Sequence, residues 1–387
     1  MHSAVIVGFL RSPFTPAHKG QLASVRPDDL SAELVKALLV RTKVKPDDID
    51  DLLWGCAFPE GEQGFNLARM VALHAGLPVT VAGATINRWC GSSMEAIHIA
   101  AGNIASGKGE VFVCGGVESM TRIPMGGYNP LPNPALYKNM PAAYLSMGLT
   151  AENVAVQCKI DRKAQEAFAL QSHRKAAAAD FSEEIVPIKI PPLSSPPLAG
   201  GKEGGLVVDK DGTIRANSTA EDMAKLDPAF DAKGSVTAAT SSPLTDGAAA
   251  VLVVSEDYAK KHELPVLARI KATAVVGLDP AVMGLGPVYA SKKVLEKAGL
   301  TIKDIDIAEI NEAFSAQAIP CAAQIGIDLN KLNIEGGAIA LGHPLGASGA
   351  RITGKAAQLL KRTGGKYALA TACIGGGQGI ATVLEAI

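Results

Sequence analysis

The sequence predicts an α/β protein made of two similar halves, with a long insertion interrupting the first. Three observations predict it. Short β-branched runs alternate with Ala-rich helical patterns, which argues for a largely parallel sheet covered by helices. Two stretches of the chain match two others at one constant offset. Between the matching stretches the texture changes to Pro- and Gly-rich sequence.

The strands are AVIVG (4–8), EVFVCGG (110–116), AAAVLVVSE (248–256) and YALATAC (367–373), apolar runs of strand length ended by breakers. Asp28 to Leu39 and Ser92 to Ala105 read as helices opened by Asp or Ser. In the repeat, DDIDDLLWGCA (47–57) faces KDIDIAEINEA (303–313), with Asp48 on Asp304. SSMEAIHIAAGNIASGKGEVFV (92–113) faces SGARITGKAAQLLKRTGGKYAL (348–369), with Ser92 on Ser348. Both alignments use the same offset of 256 without a gap. Identity is modest, but helix, small-residue break and strand recur in order. Two copies of one unit also account for 387 residues, more than one typical core holds. Residues 120–243 contain PMGGYNPLPNP (124–134), IPPLSSPPLAGGKEGG (190–205) and few strand-like runs. Such a long loop-rich insertion is often functional.

Composition narrows the class. Hydrophobic content is 48% and charged content 19%, an ordinary globular balance. Lys+Arg is 37 against Asp+Glu 38, a net charge of −1, which lacks the basic footprint of a dedicated nucleic-acid binder. No stretch of 18 apolar residues is free of breakers, so no membrane span is expected. The six cysteines (56, 90, 114, 158, 321 and 373) include no Cys-x-x-Cys pair, so neither a metal site nor a disulfide framework is expected. A reduced, cytoplasmic setting fits. The opening MHSAVIVGFLRSPF reads as a first strand rather than a signal peptide, and the closing LEAI is not a peroxisomal address.

Four segments can carry chemistry. In INRWCGSSMEAI (86–97), Cys90 stands just before an Ala-rich helix. The free N–H groups and positive dipole end of such a helix favour a thiolate, predicting a depressed thiol pKa. In GGAIALGHPLGASGAR (336–351), His343 lies among glycines and small residues, where an imidazole is poor core filler but can take a proton near neutral pH. In TACIGGGQGIA (371–381), Cys373 ends a strand and enters consecutive glycines, whose N–H groups can form an oxyanion hole. In AEINEAFSAQA (308–318), Asn311 and Glu312 follow an apolar strand; Asn311 can orient a water or cap a helix. Neither G-x-x-x-x-G-K-[ST] nor a G-x-G-x-x-G after the first strand is present, which argues against a nucleotide loop. All four segments sit at strand-to-helix or strand-to-loop junctions, where sites form in α/β sheets.

At these residues the sequence resembles the thiolase family over essentially its whole length. Asn87-Arg88-Trp89-Cys90-Gly91-Ser92 is similar to the nucleophile motif, Asn311-Glu312-Ala313-Phe314 to the NEAF box, Gly342-His343-Pro344 to the family's GHP signature, and Cys373-Ile374-Gly375 to its C-x-G motif. The resemblance implies two α/β halves with mixed five-stranded sheets in αβαβα layers, plus an inserted loop domain. The expected division is 1–119 with 244–266, then 120–243 inserted, then 267–387.

It also implies roles. Cys90 is the acyl-accepting nucleophile and His343 its base. Cys373 is the second acid and base. Asn311 holds a water that shares one oxyanion hole with His343. The N–H groups of Cys90 and Gly375 make the other. Coenzyme A is a co-substrate, with no permanently bound cofactor and no metal. Ser242 and Arg215 match contacts to its pantetheine arm and adenine end. Met147, Phe230, Met283 and Phe314 match residues lining the CoA and acyl tunnel. The activity implied is CoA-dependent cleavage of a 3-ketoacyl-CoA. A homodimer or homotetramer is expected, in some members joined by a hydratase/dehydrogenase subunit. Ser146 stands where the acetoacetyl-type, biosynthetic members carry histidine, and Ala239-Thr240-Ser241-Ser242 differs from their G-N-A-S. These departures favour the degradative reading, with acetoacetyl-CoA condensation as the alternative. A non-catalytic acyl-CoA binder and a cysteine hydrolase are readings from other classes.

Overall fold

The computed structural model describes residues 2–190 and 205–387. Most of the IPPLSSPPLAGGKEGG segment therefore lies outside the described residues. The strands are β1 (Ala4–Arg11), β2 (Thr15–Pro16), β3 (Asp51–Gly55), β4 (Ala82–Ile86), β5 (Val111–Ser119), β6 (Ile188–Ile190), β7 (Leu206–Val208), β8 (Thr245–Ser255), β9 (Ala268–Gly277), β10 (Ile307–Ile310), β11 (Tyr367–Ile374) and β12 (Gln378–Glu385). The helices are α1 (Pro27–Thr42), α2 (Leu67–His74), α3 (Ser92–Ala105), α4 (Pro134–Asn139), α5 (Met147–Cys158), α6 (Arg162–Ala178), α7 (Ala220–Ala224), α8 (Glu256–Lys261), α9 (Gly286–Ala298), α10 (Ser315–Ile325), α11 (Ala338–Leu341) and α12 (Leu345–Thr363).

The repeat is visible in the topology. The order β3-β5-β8-β1 recurs as β10-β11-β12-β9. In each set the first pair is parallel and the next two pairs are antiparallel. Val5 with Arg269 and Ile6 with Ala268 join the two sets edge to edge. The repeat extends to single hydrogen bonds. Asp50 Oδ2 accepts from Glu110 N and Val111 N, while Asp306 Oδ2 accepts from Lys366 N and Tyr367 N. Each carboxylate pins the start of a parallel strand beside its own.

One expected strand is shorter than the repeat implies. In the first half β4 flanks β3 over five residue pairs, but its counterpart is a lone parallel bridge from Ala308 to Leu332. Asn333 explains this. Its side chain replaces the next ladder bonds, accepting from Ile310 N at 2.9 Å and donating to Ile310 O at 3.0 Å. Its φ of 42° turns the chain away.

Side-chain alternation distributes the core into three layers. Val111, Val113 and Val117 of β5, with Leu252 and Val254 of β8, pack beneath α1 and α2. Phe112, Cys114, Val251 and Val253 face the other way, toward α3 and α12, which also carry Ala368, Ala370, Ala372 and Ile374 of β11. The outer face of the second half packs on α9 and α10. The layers therefore run helix, sheet, helix, sheet, helix.

Helix starts differ from the expected caps. α1 opens with Pro27 at its first position and Arg26 as N-cap, so Asp28 and Asp29 serve its first turn through charge rather than capping. α3 has Gly91 as N-cap; the Ser92 hydroxyl instead donates to Trp89 O and accepts from Arg88 N. The insertion is more helical than its Pro- and Gly-rich texture suggests, because α5 and α6 lie between the loops with caps of their own, Ser146 and Asp161. A buried ionic cluster ties it to both halves. Arg11 of β1 pairs with Glu184 at 2.6 Å and with Asp211 at 2.6 Å, and Lys355 of α12 contacts the same Glu184.

Candidate active site

The nucleophile turn precedes α3. Asn87 Oδ1 accepts from Trp89 N, and Trp89 takes a φ of 42°, a conformation that costs energy for a bulky residue. Cys90 follows, 8% exposed, within a short 3-10 turn. The glycine turn after β11 comes up against it. Gly91 lies against Ile374, and a methyl on Gly375 would stand 2.7 Å from the Trp89 ring. Gly376 and Gly377 have φ of 71° and 80°, conformations that suit glycine.

The expected depression of the Cys90 pKa is not what the site produces. Burial pushes the thiol up to about 12. The N–H of Gly375 and the N–H of Cys90 itself favour the thiolate, but the Glu118 carboxylate works against it. Desolvation wins because the sulfur lies under the second half rather than on an open helix end. Cys373 is 1% exposed, and its thiol is also pushed up, by burial and then by the neighbouring Cys90 and Cys321. The two predicted N–H groups and the two predicted sulfurs thus meet at one place.

His343 stands between α11 and α12, 4% exposed. Its N–H donates to Thr245 Oγ1 at 3.0 Å. Its Nδ1 lies 2.5 Å from Ser348 Oγ, and its Nε2 lies 3.3 Å from Asn311 Nδ2. Burial, followed by the positive charge of Arg351, lowers the imidazole pKa to about 3. Asn311, fully buried, is not the helix cap that its position allowed; its Oδ1 has no partner among the described residues. An unpaired buried acceptor beside a histidine is where an ordered water would be held.

The other predicted residues divide. Met283, Phe314 and Met147 share one apolar cluster with Cys373. Phe230 stands edge-on to Phe314, ring centroids 5.8 Å apart. Ser242 donates its backbone N–H to Ala313 O at 2.9 Å, so it lies against the Asn311-to-Phe314 segment. Arg215 is exposed and lines a cleft with His173, Thr213 and Ser241, the last bridged to Phe314; its N–H donates to His173 Nδ1.

Sequence reading missed Thr245, Ser348 and Glu118. Only Ser348 had a signal, as the repeat partner of Ser92. Glu118 Oε2 accepts from Ala57 N and Gly346 N, both at 2.9 Å.

Two buried cysteines that meet at backbone N–H groups, and a buried histidine-asparagine pair, set on two repeated halves, are the parts of an acyl-transfer site. A thiolase N-terminal domain model matches residues 4–257 and a thiolase C-terminal domain model matches 264–386. The chain belongs to the thiolase family. It is 47% identical to a 3-ketoacyl-CoA thiolase of Vibrio cholerae and 47% identical to one of Shewanella loihica, each over 395 residues that cover both proteins completely. The crystal structure of human mitochondrial 3-ketoacyl-CoA thiolase superposes with a TM-score of 0.89 at 39% identity, covering 100% of this chain and 99% of that one.

Proposed function

We propose that this chain catalyses thiolytic cleavage of a 3-ketoacyl-CoA, giving acetyl-CoA and an acyl-CoA two carbons shorter. His343 takes the proton of Cys90, and the sulfur attacks the 3-keto carbon. The bond between carbons 2 and 3 then breaks, and its electron pair leaves as the acetyl-CoA enolate. Cys373 protonates that carbanion. The Cys373 thiolate next takes the proton of incoming CoA, whose sulfur attacks the acyl carbon and releases the Cys90 thiolate, which regains its proton from His343. An N–H pair at the acyl oxygen and the Asn311-His343 pair at the thioester oxygen each steady a developing charge, a contribution of about 3 kcal/mol per donor in comparable sites.

The observation that carries this reading is the meeting of Cys90, Cys373 and the Gly375 N–H, drawn from the two ends of the chain. The relatives' names supply the substrate class. They do not favour the alternative, condensation of two acetyl-CoA by the same residues. CoA enters as co-substrate. Met147, Met283 and Phe314, which share an apolar cluster with Cys373, and Phe230 on Phe314 are the residues that would line the path of the acyl-CoA. Ser242 would meet the pantetheine arm and Arg215 the outer end of the cofactor. A homo-oligomer is the assembly this reading carries.

The test is Cys90→Ala. It should abolish both thiolysis and the acyl adduct seen by mass spectrometry after mixing with 3-ketoacyl-CoA. Thiolysis that persists in this variant overturns the reading. Rates on acetoacetyl-CoA against longer 3-ketoacyl-CoA then separate the degradative reading from the condensing one.

A further inference from the structure

The pseudo-twofold arrangement places two equivalent junctions side by side. At one, the end of β11 meets the nucleophile turn before α3, with Gly91 against Ile374 and Gly375 against Trp89. At the other, the end of β5 meets the start of α12, and a methyl on Gly116 would stand 2.1 Å from Gly346 O. Under the repeat offset, Cys90 corresponds to Gly346. The second junction carries no nucleophile. It carries Glu118, 1% exposed, which faces only donors.

Those donors come from both sides of the site. Oε2 accepts from Ala57 N at 2.9 Å and from Gly346 N at 2.9 Å. Oε1 accepts from Phe58 N at 3.2 Å and Gln63 Nε2 at 2.9 Å, with the Cys56 thiol at 3.7 Å. From Ala57 the bonds run on to the nucleophile. Ala57 O accepts from Asn87 Nδ2 at 3.1 Å, and Asn87 Oδ1 accepts from Trp89 N at 3.0 Å, next to Cys90. From Gly346 the chain runs back three residues to His343. One carboxylate oxygen therefore holds, within one or two bonds, the loop of the nucleophile and the loop of its base.

We propose that Glu118 is a positioning residue for acyl transfer, setting the Cys90 turn and the His343 loop in register with each other. This rests on the roles given to Cys90 and His343 above. A carboxylate suits the place because it accepts only, whereas an amide turned either way sets an NH2 against an N–H. A displacement of about 1 Å between nucleophile and base can cost on the order of 100-fold in rate.

Three variants test it: Glu118→Gln, Glu118→Asp and Asn87→Ala, the last on an exposed loop position whose loss leaves the core intact. Thiolysis kinetics, circular dichroism and pH-dependent iodoacetamide labelling of Cys90 are the readouts. The expected result is a kcat about 10- to 100-fold lower in Glu118→Gln, with KM for both substrates changed less than about threefold. Glu118→Asp recovers part of that loss. Cys90 faces Glu118 and the Cys373 thiol, and losing the Glu118 charge moves Cys90 labelling to lower pH. A more acidic nucleophile in a slower enzyme is a signature that loss of folding does not produce. If Glu118→Gln does not fold, the other two variants decide. Kcat within twofold of the parent in both overturns the proposal, as does a kcat loss matched by an equal rise in KM. Cys90→Ala made alongside keeps the questions separate: turnover without Cys90 rejects the mechanism, whereas a dead Cys90→Ala beside a fully active Glu118→Asp and Asn87→Ala rejects only the role of Glu118.

Discussion

Ser348 Oγ lies 2.5 Å from His343 Nδ1 and also reaches the Pro344 carbonyl at 3.2 Å. A hydroxyl has one proton, and the Pro344 carbonyl can only accept it. Ser348 therefore accepts from Nδ1–H, and the imidazole keeps its lone pair on Nε2, the atom turned toward Asn311. Ser348→Ala removes this restraint on the tautomer. A roughly tenfold or greater fall in kcat is expected, with KM for CoA nearly constant, since a well-placed base contributes about 100-fold or more. Steady-state thiolysis measures it; unchanged kcat would falsify the tautomer argument.

The resting thiol of Cys90, pushed up to about 12, makes alkylation strongly pH-dependent. The thiolate is the reacting form, so its population rises about tenfold per pH unit below that value. Iodoacetamide labelling of Cys90 should climb steadily from pH 6 to pH 10. The His343 imidazole, lowered to about 3, is already neutral across that range and adds no inflection near 6.5. A plateau in the labelling rate below pH 8 would contradict both statements.

Glu184 is the shared partner of two buried cations. Burial alone would raise its carboxyl pKa, but Arg11 and Lys355 prevail and hold it below the usual range. Glu184→Gln leaves Arg11 with Asp211 alone and leaves Lys355 to share Glu335 with Arg362, so a dry cluster loses one counter-charge. The expected loss is about 3–5 kcal/mol in urea unfolding at pH 7. A depressed carboxyl contributes its stability above the unfolded pKa and loses it as the pH falls. The gap between parent and variant should therefore narrow below about pH 4.5. A gap that widens in acid has the wrong sign for this account.

Gly375→Ala places a methyl 2.7 Å from Trp89 Cε3 and 3.4 Å from Met147 Sδ. Something must move, and the movable parts are the Trp89 ring and the turn that aims the Gly375 N–H at Cys90. Thermal unfolding should register a cost of about 1–3 kcal/mol. The fall in kcat should be far larger than that modest loss implies, because the N–H is displaced from the reacting oxygen. Full activity in a variant that retains the fold would show that the turn is not part of the site.

Much of the architecture was legible in the linear sequence because it depends on local pattern. Runs of β-branched residues located β5, β8 and β11 to within a few positions. The constant offset between Asp48 and Asp304, and between Ser92 and Ser348, reported two copies of one unit. The glycines around His343 and after Cys373 marked turns open to chemistry. Failures had local causes too. Asn333 imitates a strand with its side chain, and no periodicity reports that. Pro27 displaced Asp28 from the cap of α1.

What the sequence by itself determined is the inventory: two α/β repeats, an insertion, and a cysteine, an asparagine and a second cysteine near strand ends, with a histidine that was expected at such a junction and lies instead between two helices, α11 and α12. Only the tertiary structure decided their state. The Cys90 thiol rises rather than falls because another half of the chain covers it, and desolvation depends on atoms remote in sequence. Glu118 was invisible for the same reason. Its importance lies in N–H groups contributed by Ala57 and Gly346, 61 and 228 positions away, and a hydrogen bond between residues so far apart leaves no mark on the spacing of either.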